Sequence, residues 1–276
     1  MPEIVAEPEE KQEESRMGSM GLLQHLEELR KRIIRSMLAV AGGACIGWWF
    51  AQDKIYPLMA KPLIDVYTKN GIKDASGAIQ HLTFLNPLTP FNTYLKVGLV
   101  AGIFLACPFV LYQVWMFISP GLYRREKRFL LPFLFLSVGL FLTGGYFGYR
   151  VVFPIAMDFL ISTYGKGLTP NITIDEYTKV FLTMILGLAV IFELPIVIGF
   201  AAMMGVVNAK FLIKHIRGAV LVFFIIAAVL SPTTDIVNMA IYAAPMILLY
   251  ILSIGLAWFV HPKTRRKRKE KREGKV

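Results

Sequence analysis

Long apolar runs, separated by short polar breaks bearing proline and glycine, set the rhythm of this chain. From Gly21 the spacing is helical: Leu22, Leu26, Leu29 and Ile33 recur on one stripe, while Glu27, Glu28, Arg30, Lys31, Arg32 and Arg35 take the other faces. A basic amphipathic helix of this kind suits a membrane surface, just before the chain turns inward. The first apolar run follows at about 33–51, long enough at ~1.5 Å per residue to cross ~30 Å of hydrocarbon. Trp48 and Trp49 near its far end are placed for an interfacial aromatic belt.

Five more runs follow, at about 91–118, 129–153, 177–204, 213–230 and 236–260. Pro108, Pro195 and Pro245 lie inside the second, fourth and sixth, where each should kink its helix. Gly139, Gly144, Gly145 and Gly148 in the third offer close helix contacts. The apolar centre of the fifth, Ala219 to Leu230, reaches only about 18 Å as a helix. Either Lys214 and Arg217 snorkel to the interface or the bilayer thins locally around so short a helix, and the sixth is a second candidate for shortness. Residues 53–90 and 154–175 read as loops on the far side, the first with one or two short helices. The pattern predicts an all-α membrane protein of six transmembrane helices over 21–260. Residues 1–20, rich in glutamate, are read as a disordered acidic extension, and 261–276 as a basic tail. No leader with a short apolar core and small-residue cleavage pattern precedes the first run.

Composition agrees with a membrane protein: 55% of residues are hydrophobic and the mean hydropathy is +0.55. The net charge of +11 suggests nucleic acid until its location is considered, because nine of the 30 Lys and Arg fall in the last 14 residues. With six spans both termini share a side, and that side collects 22 of the 30 cations. The positive-inside rule then puts both termini in the cytoplasm. Cys45 and Cys107 sit in apolar runs as small hydrophobes, and no spacing suggests a metal site or cofactor.

Enzyme signatures are missing: there is no HExxH, no GxSxG and no Gly-rich phosphate loop. The candidates for chemistry are acids in unexpected places. Glu28 and Glu126 stand among cations, Glu126 beside Arg124 and Arg125 in the loop 119–128. Each can pair locally, Glu28 with Arg32 one turn on. Each can instead accept a planar guanidinium from outside, in a two-pronged geometry that lysine cannot reproduce. Glu193 lies deep in the fourth run, where an ionisable group is costly and faces protein or water. It either bonds internally near the Pro195 kink, or offers a polar contact to a partner helix or an ion. Asp235, before Ile236, reads as a helix N-cap.

The ordered set His25 to Arg32, Leu111 to Arg128, Phe192-Glu193-Leu194-Pro195 and Ser231 to Asp235 resembles the TatC family, the multi-spanning core of the twin-arginine protein translocase. The resemblance implies a cupped bundle of six helices in a prokaryotic inner membrane. It further implies a cytoplasmic face that binds the Arg-Arg signal peptides of folded cargo. On motif match Glu28 and Glu126 are the signal-binding acids, with Arg30, Arg124 and Arg125 in the same set. Glu193 matches an intramembrane acid that meets TatA- or TatB-type single-span partners. Pro62, in Lys61-Pro62-Leu63-Ile64, and Asp235 match elements of the external loops. Met239 stands where some members carry a polar residue. A homo-oligomer within the complex is also implied; nucleic acid is not. The alternative is a secondary transporter or channel for a small solute. The interior prolines do not map one set of three spans onto the other, as inverted repeats would require.

Overall fold

A computed structural model describes residues 9–72, 82–119, 130–164, 171–231 and 235–260 of the chain. Regular structure among them is helical, apart from one parallel bridge between Thr83 and Thr173. Helix α1 (Glu9–Trp49) is a single element of 41 residues, about 61 Å long if straight. It exceeds a bilayer core twofold, so the amphipathic lead-in and the first span are one rod with no break near Ile33. Residues 9–20 of the extension read as disordered belong to this helix, and residues 1–8 lie outside the described residues. Glu, Lys, Gln and Met are strong helix formers, and a helix nucleated downstream propagates into them.

After Phe50 a wide π-helical turn (Ala51–Ile55) redirects the chain by 67° into α2 (Tyr56–Lys69). Helix α2 buries Met59, Pro62, Leu63, Val66 and Tyr67 on one stripe, as its spacing dictates. Helix α3 (Thr89–Ile118) runs antiparallel to α1 and continues through Pro108. Their seam is glycine-lined: a Cβ on Gly43 would lie 2.7 Å from the Gly102 carbonyl oxygen, and one on Gly47 would crowd Gly98. Backbones this close gain dispersion contacts that larger side chains would forbid.

Helix α4 (Leu130–Phe147), a second π-helical turn (Gly148–Val152) and α5 (Phe153–Tyr164) form one apolar helical run to Thr163. The third span therefore extends past Pro154, where the sequence reading ended it. Each wide turn lies just upstream of a proline, Pro57 or Pro154, whose missing N–H makes a regular turn impossible to complete. Helices α6 (Ile174–Ile191) and α7 (Leu194–Met203) share the fourth span, interrupted at Phe192 and Glu193. Pro195 sits in the first turn of α7, where a proline is tolerated but the preceding helix must end. Gly205, at φ +78°, closes α7.

A short α8 (Ala209–Lys214), capped by Asn208, leads to α9 (Ile216–Leu230) and α10 (Ile236–Val260). Helix α9 has 15 residues, about 22 Å, and is the short span. Helix α10 has 25 residues, about 37 Å, so shortness is confined to the fifth helix. The architecture is that of an all-α, six-helix membrane bundle. Leu105, Phe135, Val190, Val197, Leu221, Val229 and Ile251 are exposed on its outside, as lipid-facing positions are.

On the side opposite the α1 N terminus, polar bonds tie α2 to α5 and α3 to α6. Lys69 pairs with Asp158 at 2.7 Å and Lys96 with Asp175 at 2.7 Å. Ile174 N donates to Thr83 O at 2.8 Å, joining the two loops. Beneath them Tyr67, Phe153, Met184, Leu188 and Tyr242 form the main buried core.

Candidate functional site

Two carboxylates carry the candidate chemistry, and they sit in different surroundings. Glu28 is on α1, where the antiparallel seam brings the last turns of α3 alongside. Arg32, one turn on, donates to Glu28 Oε1 from Nε at 2.9 Å and from Nη2 at 2.5 Å. Its Nη1 donates to Gln113 Oε1 on α3 at 3.3 Å. Gln113 is only 5% exposed, so the amide is fixed by packing and braces the guanidinium. On the other side His25 stacks on Phe117, with centroids 4.4 Å apart, and its Nδ1 is 4.0 Å from Glu28 Oε2. Glu28 is thus already an acceptor of one guanidinium, on one of its two oxygens.

Arg30 is exposed, on a different face of α1 from Glu28. Glu27 pairs with Lys31 at 2.7 Å, and that hydrogen bond and charge hold its carboxyl below the usual range. Both groups are open to solvent, so the pair contributes little to stability. Glu126, Arg124 and Arg125 lie outside the described residues.

Glu193 occupies the break between α6 and α7. The break leaves backbone groups free of the helical ladder and turns the side chain toward α4. There Ser137 Oγ donates to Glu193 Oε2 in a short hydrogen bond. Ser137 is 1% exposed, a hydroxyl sunk in an apolar wall. The second oxygen, Oε1, is buried and has no hydrogen-bond partner among the described residues. A carboxyl oxygen left bare in such a place is costly.

Pro62 and Asp235 have structural geometry of their own. Proline at position 62 removes the N–H that would bond the carbonyl of Leu58, one turn back. Tyr149 Oη donates to that carbonyl at 3.0 Å, and Tyr177 Oη donates to the next, Met59 O, at 2.6 Å. The proline thereby opens α2 to clamping by the third and fourth spans. Asp235 Oδ2 accepts from Asn238 N at 2.7 Å, an N-cap for α10. Sequence reasoning passed over Gln113, Ser137 and Tyr149. The signal available was a lone amide or hydroxyl within an otherwise apolar run.

Among the described residues no cluster of His, Cys, Asp and Glu is suited to a metal ion. The bundle thus carries one pre-paired carboxylate at a helix face and one half-satisfied carboxylate inside its wall. Comparison with known proteins makes the class specific. The family model "Sec-independent protein translocase protein (TatC)" matches residues 24–245. A protein of that name from Koribacter versatilis is 52% identical over 93% of this chain and 92% of its own length. One from Desulforapulum autotrophicum is 39% identical over 84% of this chain and 82% of its own. A crystal structure described as the twin arginine translocase receptor TatC superposes with a TM-score of 0.75 at 32% identity, covering 86% of this chain and 99% of that one.

The chain belongs to the TatC family. It is a membrane-embedded protein translocase component, not an enzyme. The small-solute transporter alternative gives way to this assignment.

Proposed function

We propose that this chain is the signal-receiving core of a twin-arginine translocase in a prokaryotic inner membrane, with both termini cytoplasmic. Glu28 and Glu126 accept the paired guanidinium groups of a signal peptide on folded cargo, and Arg30, Arg124 and Arg125 shape the same face. Glu193 offers its partly exposed carboxyl to the helix of a TatA- or TatB-type single-span partner, within an assembly holding more than one copy of this chain. Pro62 and Asp235 hold the far-side loops in the form that the assembly meets.

One observation carries the reading: Glu28 already holds a guanidinium through two nitrogens in a brace built across two helices. A site shaped for that planar group discriminates arginine from lysine by geometry as well as charge. Folded cargo cannot thread a narrow pore, so a receptor that recruits partners suits a bundle of this kind.

The test is binding of labelled Arg-Arg and Lys-Lys signal peptides to the purified protein, wild type against Glu126→Ala and Glu28→Ala. Arg-Arg should bind about tenfold tighter, one charge-assisted hydrogen bond's worth, with the preference erased in either variant. Equal binding of the two peptides by the wild type would leave charge attraction alone and remove the guanidinium mechanism.

A further inference from the structure

A groove of about 620 Å³ lies apart from both carboxylates, between the Trp49 end of α1, the turn after it, α3, α4 and α6. Phe50, Leu58, Phe104, Leu142 and Ile185 are among its walls, and Lys54 is the one charged residue lining it among the described residues. The Lys54 ammonium stands 5.3 Å from the centre of the Phe50 ring. Trp48, Trp49 and Tyr146 are exposed around the same end, at the level of an interfacial aromatic belt.

The contents of such a groove follow from its walls. Water finds almost no hydrogen-bond partners there, and an empty groove forfeits the dispersion contacts of its lining. A transmembrane helix is too thick. Ten helical residues, about 15 Å long and 10 Å across, occupy about 1,200 Å³, so a helix would rest across the open groove and leave its floor unfilled. A hydrocarbon chain is thinner. The groove holds about twenty water-sized volumes, and a methylene group is no larger than a water. The ammonium, on a long flexible stem at headgroup height, supplies the complement for a phosphate.

We propose that the groove binds one acyl chain of an anionic phospholipid from the leaflet at the Trp49 end of α1, with the lipid phosphate resting on Lys54. The lipid fills a wall defect between the first, second, third and fourth spans and is retained as a structural component. Exposed Asp53, next in sequence to Lys54, is outside the lining, so the cation faces the groove without a counter-charge in its wall.

The test places a photo-crosslinking benzoylphenylalanine at Leu142 or, separately, at Leu105 of the full chain in native membranes, and weighs the intact protein after irradiation. An adduct of phospholipid mass is expected. Lys54→Gln should lower its yield about fivefold, the effect of one headgroup cation. Lys54→Arg should keep the yield, and Lys61→Gln, on exposed α2 surface outside the groove, should leave it unchanged. A protein adduct, whether from another chain or a second copy, overturns the proposal. So does a yield indifferent to Lys54→Gln, or no adduct at either position.

Discussion

Glu28 and Glu193 are both acids on membrane helices, yet the structure treats them in opposite ways. Glu28 is a third exposed, and one of its oxygens takes two bonds from Arg32, which is itself held by a buried amide on the neighbouring helix. Glu193 is set into an apolar wall, with one oxygen bonded by Ser137 and the other unpartnered. The first group is satisfied where satisfaction matters least, near water. The second is unsatisfied where it costs most. A group satisfied locally contributes to the fold, whereas one left bare at a cost points to a contact completed by something else. The two acids should therefore respond differently to removal, and the variants below separate them.

The largest effect is expected at the seam that supports only the Glu28 side. Across it Gln113 reaches Arg32, and the glycines 43, 47, 98 and 102 set how closely α1 and α3 approach. A Cβ on Gly102 would lie 2.6 Å from Ala44 Cα, backbone that cannot swing away. Gly102→Val should cost about 1–3 kcal/mol by overpacking and lower the thermal midpoint in detergent. It should also relax the Arg-over-Lys preference, because Gln113 is carried away from Arg32. Unchanged selectivity in a destabilised protein would show that the Glu28 brace is not what reads arginine.

A middle effect is expected at the clamp on α2, which touches neither acid. Tyr149→Phe leaves the Leu58 carbonyl, freed by Pro62, without its donor, and should cost about 1 kcal/mol. Signal-peptide binding should not move. If it does, the far-side loop is coupled to the Glu28 face and the two regions are not separable.

Much of this arrangement was legible from the chain, because apolar runs of membrane length leave little freedom. Ile236 to Val260 and Phe91 to Ile118 fall in α10 and α3 nearly as the spacing predicts, and Asp235 caps α10 as its position suggests. What escaped is what depends on geometry between helices. The continuation of the third span beyond Pro154 needs a wide turn, and local propensity does not announce one. The role of Pro62 becomes visible only when Tyr149, distant in sequence, is seen to donate to the freed carbonyl. Ser137 and Gln113 are single polar residues in apolar stretches, and only the fold pairs one with Glu193 and the other with Arg32. The helix over 9–20 was missed because charge was weighed above helix propensity.

A comparable but more specific effect is expected from Arg32→Gln. Arg32 occupies the carboxylate that an incoming guanidinium would use, and a partly exposed pair of this kind is worth up to about 1 kcal/mol. Removing it should tighten binding of an Arg-Arg peptide up to about fivefold, since the peptide no longer competes with an internal cation. Glu28→Ala should instead weaken binding and lower stability slightly, leaving Arg32, 17% exposed, without its acid. If both substitutions weaken binding alike, Arg32 is needed to hold Glu28 in place, and the pair is part of the receptor as a unit.

The smallest change in stability is expected at Glu193, and it is the most informative. Replacing a buried polar group that is only half satisfied by an apolar one of similar size is often neutral or stabilising, because the desolvation cost disappears with the group. Glu193→Leu should leave the thermal midpoint of the isolated protein unchanged or raised, within about 0.5 kcal/mol, even paired with Ser137→Ala to remove the stranded hydroxyl. Co-purification of a single-span partner should fall in the same variant, because its donor would meet a methyl group in place of a carboxyl. Glu193→Gln, which keeps an acceptor oxygen, should retain part of that association. A midpoint that drops together with association would mean that the Ser137 bond holds α4 against the α6–α7 break, making Glu193 a structural residue. Stability kept while association is lost would mark the carboxylate as one whose partner lies outside this chain.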